Sequence, residues 1–171
     1  ALLQRPGIGV ELNSARAQAS AVNLRSIANY RNEAVTDHFL GTRILATDGR
    51  DGGVVSATIA DHFQYRELPP IALLHLDPAR PRNSRTHGLD EMAPRLDEVF
   101  HGWKKHLANG PNGPALLLDL SPRLTHEQRL EVETMVDEVW KGIDRTWVWT
   151  SRGRGRIDRL ALWLGGAANA N

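Results

Sequence analysis

"PALLLDLSP", residues 114–122, is a short apolar run closed at both ends by proline, and it gives the strongest indication of the fold class. A similar run, "PIALLHLDP" at 70–78, precedes it and is typical of a strand buried on both faces of a sheet. Each run is followed by a segment with helical periodicity. The sequence therefore predicts two consecutive strand–helix units, whose strands are parallel and joined by right-handed crossovers.

Both helices are predicted from apolar stripes at spacings of three and four residues. The first stripe runs from Leu89 to Leu107, and Pro94 is compatible with it only in or near the first turn. The second helix begins with Thr125 and Gln128, which match a capping box. Two further strands are predicted at 145–151 and 156–165, the last pairing antiparallel with its predecessor.

The first part of the chain begins with a predicted strand at 6–12, "PGIGVEL". Asn13 or Ser14 can cap a helix over 14–32 that extends towards Phe39, with Gly41 as its end. The segment that follows carries two β-rich runs around 48–53, where Asp-Gly and Gly-Gly predict a hairpin turn.

These elements predict one α/β domain over 1–171, in the order β-α-β-β-β-α-β-α-β-β. The sheet is expected to be mixed and mainly parallel, with six or seven strands and helices packed on its faces. The first residue is Ala, so we expect that the domain was excised from a longer chain.

Composition limits the classes of function. The 21 Lys and Arg residues nearly cancel the 20 Asp and Glu residues, and the net charge of +1 argues against a globally basic nucleic-acid binder. The chain has no cysteine, which excludes disulfides and thiolate sites. No apolar run approaches the roughly 20 residues of a membrane helix, so we expect a soluble protein with no membrane partner. The lack of cysteine favours the cytoplasm as its location.

Polar residues follow the predicted parallel strands, and the carboxyl ends of such strands are where α/β sheets usually bind ligands. We expect a phosphate-bearing ligand there, held by side chains from three segments. The candidate ligand-binding residues are Arg80, Arg82, Arg123, Ser151, Arg152, Arg154 and Arg156.

The stretch "SRGRGR" at 151–156 has two interpretations. Gly153 and Gly155 would allow the backbone to approach a phosphate closely, or they would serve a solvated turn. Trp147 and Trp149 share one face of the preceding strand and either cover the sheet or stack on exposed bases. The base-stacking interpretation requires an exposed ring next to the arginines.

Asp77 and Asp119 are the candidate catalytic residues, as carboxylates at or near strand ends. Asp119 lies in an apolar run and needs a partner, for which an arginine or a backbone N–H is expected. His75 and Asp77 share a strand face and could hold a metal, but the histidine pattern gives a zinc site little support. The sequence predicts no metal site and identifies no cofactor.

Several enzyme signatures are missing from the sequence. It contains neither G-x-x-x-x-G-K-[ST] nor G-x-S-x-G, which argues against that class of phosphate loop and against an α/β-hydrolase.

Three functions stay open, and whether the protein is an enzyme is undecided. The leading hypothesis is nucleic-acid binding or processing at the Arg-rich edge. The first alternative is a non-catalytic module of a larger protein that binds a protein partner. The second is a metal-dependent hydrolase or nuclease with an atypical carboxylate site.

Overall fold

The computed structural model describes residues 7–29, 42–64, 70–80, 88–153, 155 and 157–168. The chain divides into two compact units, residues 1–49 and 50–171. The first unit contains β1 (Ile8–Val10), α1 (Ser14–Asn29) and β2 (Arg43–Leu45). The second contains α2 (Gly52–Phe63), β3 (Leu74–Leu76), α3 (Leu96–Trp103), β4 (Leu116–Leu120), α4 (His126–Val139), β5 (Arg145–Ser151) and β6 (Ile157–Leu164). Short 3-10 turns lie at Leu89–Glu91 and Gly165–Ala167.

These helices and strands form a mixed α/β structure, as predicted. The single domain over 1–171 stays a prediction. In the described ranges, no helix is both long enough and apolar enough to cross a membrane.

The first unit is a strand–helix–strand arrangement in which β1 and β2 pair in parallel. The side chain of Asn13 accepts a hydrogen bond from the backbone N–H of Arg16, so it caps α1 as predicted. The predicted extension of this helix to Phe39 and its end at Gly41 lie outside the described residues.

The hairpin predicted around 48–53 is wrong, because this segment begins helix α2. The Asp51 carboxylate accepts hydrogen bonds from the N–H groups of Gly53 and Val54, as a helix cap does. Val55 and Ile59 follow one turn apart and are both buried. The Asp-Gly pattern therefore serves a helix start, and packing of the following apolar residues selects the helix over a second strand.

The second unit contains a four-stranded sheet in the order β3-β4-β6-β5. Strands β3 and β4 are parallel, and β6 is antiparallel to both β4 and β5. The antiparallel pairing of the last two strands is confirmed. The predicted single sheet of six or seven strands is wrong, since the structure has a four-stranded and a two-stranded sheet.

Strand β6 lies between β4 and β5, which the sequence analysis did not predict. The physical reason is apolar burial, because Leu160, Leu162 and Leu164 of β6 are fully buried. Strand β5 has no buried residue, since its residues are half-buried or exposed and the last three are all exposed, which suits an edge strand. The more apolar strand therefore takes the inner position.

The core of the second unit lies on one face of this sheet. Leu116 and Leu118 of β4 are fully buried there, together with apolar side chains of the helices. Helices α3 and α4 pack against each other, and Phe100 meets Trp140 edge-on with ring centroids 5.5 Å apart. The opposite face is less covered. His75 of β3 is exposed, so burial of this strand on both faces is wrong.

The helix predicted from Leu89 to Leu107 is shorter, because α3 begins after Pro94. Proline has no N–H and disfavours helical backbone in the residue before it. Leu89 lies instead in the preceding 3-10 turn, and Leu107 forms a bridge with Ile71. The apolar residues of the predicted stripe named here are buried, but they belong to the 3-10 turn, to α3 and to the bridge that follows it.

Candidate functional site

The carboxyl ends of β3, β4 and β5 lie at one edge of the four-stranded sheet, because these strands run in the same direction. This convergence is the one predicted for the parallel strands. The ends of β4 and β5 are not adjacent, since β6 lies between them and separates them by about 10 Å. Of the predicted ligand-binding residues, Arg82, Arg154 and Arg156 lie outside the described residues.

In the connection between β5 and β6, the first two backbone N–H groups are bonded to side chains of the chain itself. The N–H of Arg152 donates to Asp158 at 2.9 Å, and that of Gly153 donates to the Ser151 hydroxyl at 3.1 Å. Gly153 and Gly155 have positive φ angles of 99° and 68°, which a turn of this shape requires. A phosphate at this turn would therefore meet the side chain of Arg152 and not these two amides.

The start of α4 lies at the same edge, and side chains of the chain itself accept hydrogen bonds from backbone N–H groups there. Thr125 and Gln128 form the predicted capping box, each side chain accepting from the other residue's backbone N–H. The backbone N–H of Glu127 and the Thr125 side chain lower the pKa of the Glu127 carboxyl. This helix start already carries negative charge, which weakens it as an anion site.

Two of the predicted arginines are exposed at this edge. Arg123 follows β4 and Arg152 follows β5, so both guanidinium groups are placed where a ligand can approach. Ser121, just before Arg123, is buried, and its hydroxyl accepts from the Arg123 N–H. Ser121 therefore shapes the turn after β4.

Arg80 is less suited to a ligand. Burial lowers its pKa, opposed by the nearby negative charges of Asp77 and Glu91. Its Nε and Nη2 atoms are buried without a hydrogen-bond partner in the described structure. A phosphate could contact these two atoms only after movement of the surrounding chain.

Arg129 lies in the first turn of α4 and was not among the predicted site residues, because its ring partner comes from another element. Its Nη1 donates to the carbonyl oxygen of Leu124 at 3.0 Å. Its guanidinium carbon lies 5.7 Å from the centre of the Trp149 ring, within the range of a cation–π interaction. Arg129 therefore connects the start of α4 to the end of β5.

The two tryptophans of β5 differ in environment. Trp147 is half-buried and its Nε1 donates to Glu133 at 2.7 Å, which agrees with a structural role. Trp149 is 45% exposed, and its ring centre lies 6.3 Å from that of Trp147. The exposed ring required next to the arginines is therefore present, three positions before Arg152.

Asp119 has a partner that the sequence analysis did not predict. Nε2 of His75 donates to Oδ2 of Asp119 at 3.0 Å, across neighbouring strands and on the less covered face of the sheet. The expected arginine or backbone partner is thus replaced by a histidine. The side chains are 54% and 26% exposed, so solvent reaches both. A histidine held by a carboxylate is chemically able to exchange protons with a ligand.

Asp77 comes one residue after the paired segment of β3 and is exposed. Leu76 pairs with Leu118, so the next residues along the two strands, Asp77 and Asp119, come at the same height in the sheet. Within the described ranges, no three histidine or acidic side chains gather as a metal site. The catalytic assignments of Asp77 and Asp119 stay predictions.

No family model and no curated protein matches this chain. Among solved structures, the chain is similar to a crystal structure from Clostridium thermocellum described as a "putative rRNA-methylase". The two are 8% identical with a TM-score of 0.45, and the match covers 92% of this chain and 73% of that chain. A similarity of this size assigns neither a fold nor a function.

Proposed function

We propose that this protein binds nucleic acid through the phosphate backbone, at a surface formed by Arg123, Arg129 and Arg152. This surface is called the arginine edge below. The observation that carries the proposal is the common direction of β4 and β5, which brings Arg123 and Arg152 to one edge of the sheet in exposed positions.

Guanidinium groups suit this function, because they bind phosphate oxygens through two parallel hydrogen bonds and stay charged at all physiological pH values. The backbone N–H groups of Arg152 and Gly153 are already bonded within the chain, so at these two residues binding rests on the charge of the Arg152 side chain. Charge-based binding of this kind weakens as salt rises, because bound counterions are released from the nucleic acid.

Acidic groups at the same edge limit the strength of binding. Asp158 accepts from the turn after β5, and Glu127 lies in the first turn of α4. With a net charge of only +1 on the whole chain, attraction to phosphate is local and not long-range. Binding is therefore expected at low salt and to fall steeply towards physiological salt.

The test is fluorescence anisotropy with labelled DNA and RNA oligonucleotides, in single-stranded and duplex form, at two salt concentrations. The variant is Arg123→Ala combined with Arg152→Ala. We expect it to bind at least about 10-fold more weakly at low salt, with a salt slope smaller by about two, since each phosphate contact contributes about one.

The control is Lys141→Ala, which removes one exposed positive charge four positions before β5, where the test variant removes two. The seven residues of β5 separate this position from Arg152 by about 20 Å. The control is expected to bind like the wild type. Equal affinity of the double arginine variant and the wild type, or no binding at low salt, would overturn the proposal.

A further inference from the structure

We infer that the arginine edge takes single-stranded nucleic acid, with an unpaired base stacked on Trp149. This inference rests on the proposed function and names its substrate class. It is carried by three observations: the exposure of the Trp149 ring, the position of Arg129 against it, and the short distance to Arg152.

The exposure of Trp149 is the first observation. Tryptophan is highly buried on average, yet the residue Trp149 is 45% exposed near the end of β5. Its neighbour Trp147 has a structural role, since it is half-buried and donates a hydrogen bond to Glu133. Trp149 has no such bond in the described structure, and its exposed part faces solvent at the arginine edge.

The second observation is that Arg129 is already held in place. One nitrogen donates to the Leu124 carbonyl, and the guanidinium carbon lies 5.7 Å from the Trp149 ring centre. Indole rings and guanidinium planes are the two kinds of side-chain surface on which proteins stack unpaired bases. Because the pair is formed without ligand, a base would meet an ordered surface, which reduces the entropy lost on binding.

The third observation is distance along the strand. Arg152 follows the last residue of β5 and comes three positions after Trp149, so at most about 10 Å of chain separates them. A base on Trp149 and a phosphate on Arg152 can therefore belong to the same strand of nucleic acid. Bases in a duplex are hidden within the stack, so only an unpaired base presents its face to Trp149.

The experiment compares binding of a labelled single-stranded oligonucleotide with that of its duplex, for the wild type and for variants of Trp149. The wild type is expected to bind the single strand at least about 5-fold more tightly than the duplex. Trp149→Ala is expected to weaken single-strand binding roughly 10-fold and leave duplex binding unchanged. Trp149→Phe keeps an aromatic ring and is expected to stay within about 3-fold of the wild type.

Two further variants separate stacking from loss of apolar surface or of stability. Trp149→Leu keeps an apolar side chain without a ring and is expected to behave like Trp149→Ala. Leu130→Ala removes a side chain of similar exposure, 48%, next to Arg129 in sequence, and is expected to bind like the wild type. Urea unfolding of each variant reports whether the fold is retained.

The outcomes distinguish this inference from the proposed function. Equal binding of single strand and duplex overturns the inference, as does unchanged binding by Trp149→Ala or Trp149→Leu. If the inference is overturned but the Arg123 and Arg152 double variant still binds oligonucleotides more weakly than the wild type, the proposed function stands. The site then binds the phosphate backbone without stacking a base. If the wild type binds neither form at low salt, both are overturned.

Discussion

The His75–Asp119 pair shows how a single residue position acquires its environment. Asp119 occupies an apolar strand, where an unpaired carboxylate would be costly. Alternation turns it away from the core face that holds Leu118 and Leu120, onto the less covered face. His75 from the neighbouring strand then donates to it at 3.0 Å. The pair therefore satisfies the carboxylate without desolvating it fully.

This pair is expected to contribute modestly to stability, because both side chains are partly exposed and solvent screens their interaction. A double-mutant cycle with His75→Ala and Asp119→Ala, followed by urea unfolding, is expected to give a coupling energy of about 0.5 kcal/mol. If the two single variants lose unfolding free energy in strictly additive amounts, the hydrogen bond does not stabilise the fold.

Among the predicted site residues, Arg123 and Arg152 could be placed from the sequence because each directly follows a recognisable strand. Arg129 could not, because its role depends on a carbonyl after β4 and a ring on β5. No local pattern contains both partners. The histidine partner of Asp119 was missed for the same reason, since it comes from a different strand.

At the scale of elements, helix α2 shows that turn residues alone do not choose between a hairpin and a helix. Asp-Gly and Gly-Gly supply positive φ angles in a hairpin, but Asp also caps helices. Here the Asp51 carboxylate accepts from two N–H groups at the start of α2. Burial of Val55 and Ile59 on one helical face decides the outcome.

The cap at Asp51 leads to a direct test of this element. Asp51→Ala is expected to lower the free energy of unfolding by about 1 kcal/mol, because two N–H groups at the helix start lose their acceptor. Asp51→Asn, which keeps a side-chain oxygen, is expected to stay close to the wild type. Urea unfolding measures both, and an unchanged Asp51→Ala variant would argue against the cap.

At the scale of the whole molecule, the order β3-β4-β6-β5 determines which residues meet at the arginine edge. Insertion of β6 keeps β4 and β5 pointing the same way while separating their ends. The order depends on burial, since β6 supplies fully buried leucines and β5 does not. The core of the second unit is therefore expected to depend on the central strands.

Leu118→Ala in β4 is expected to lower the free energy of unfolding by about 2–5 kcal/mol, because Leu118 is fully buried and its removal leaves a cavity. Leu130→Ala in the exposed part of α4 is expected to change it by about 0.5 kcal/mol or less. Urea unfolding compares the two. Losses of equal size would contradict the placement of the core on this face of the sheet.

Local sequence patterns were enough to predict the features that depend on neighbouring residues. These are the apolar strand at 116–120, the capping box of α4, the antiparallel last pair of strands and the common direction of strands that continue into helices. Periodicity and capping act within a few residues, so they can be recognised without tertiary structure.

Four other features could not be predicted from local patterns and depend on tertiary packing. They are the helix in place of a hairpin at Gly52–Phe63, the inner position of β6, the His75–Asp119 bond and the contact of Arg129 with Trp149. Each of these depends on residues far apart in the chain. The physical reason is that burial is a property of the whole packed unit, and burial selects among local structures of similar intrinsic preference.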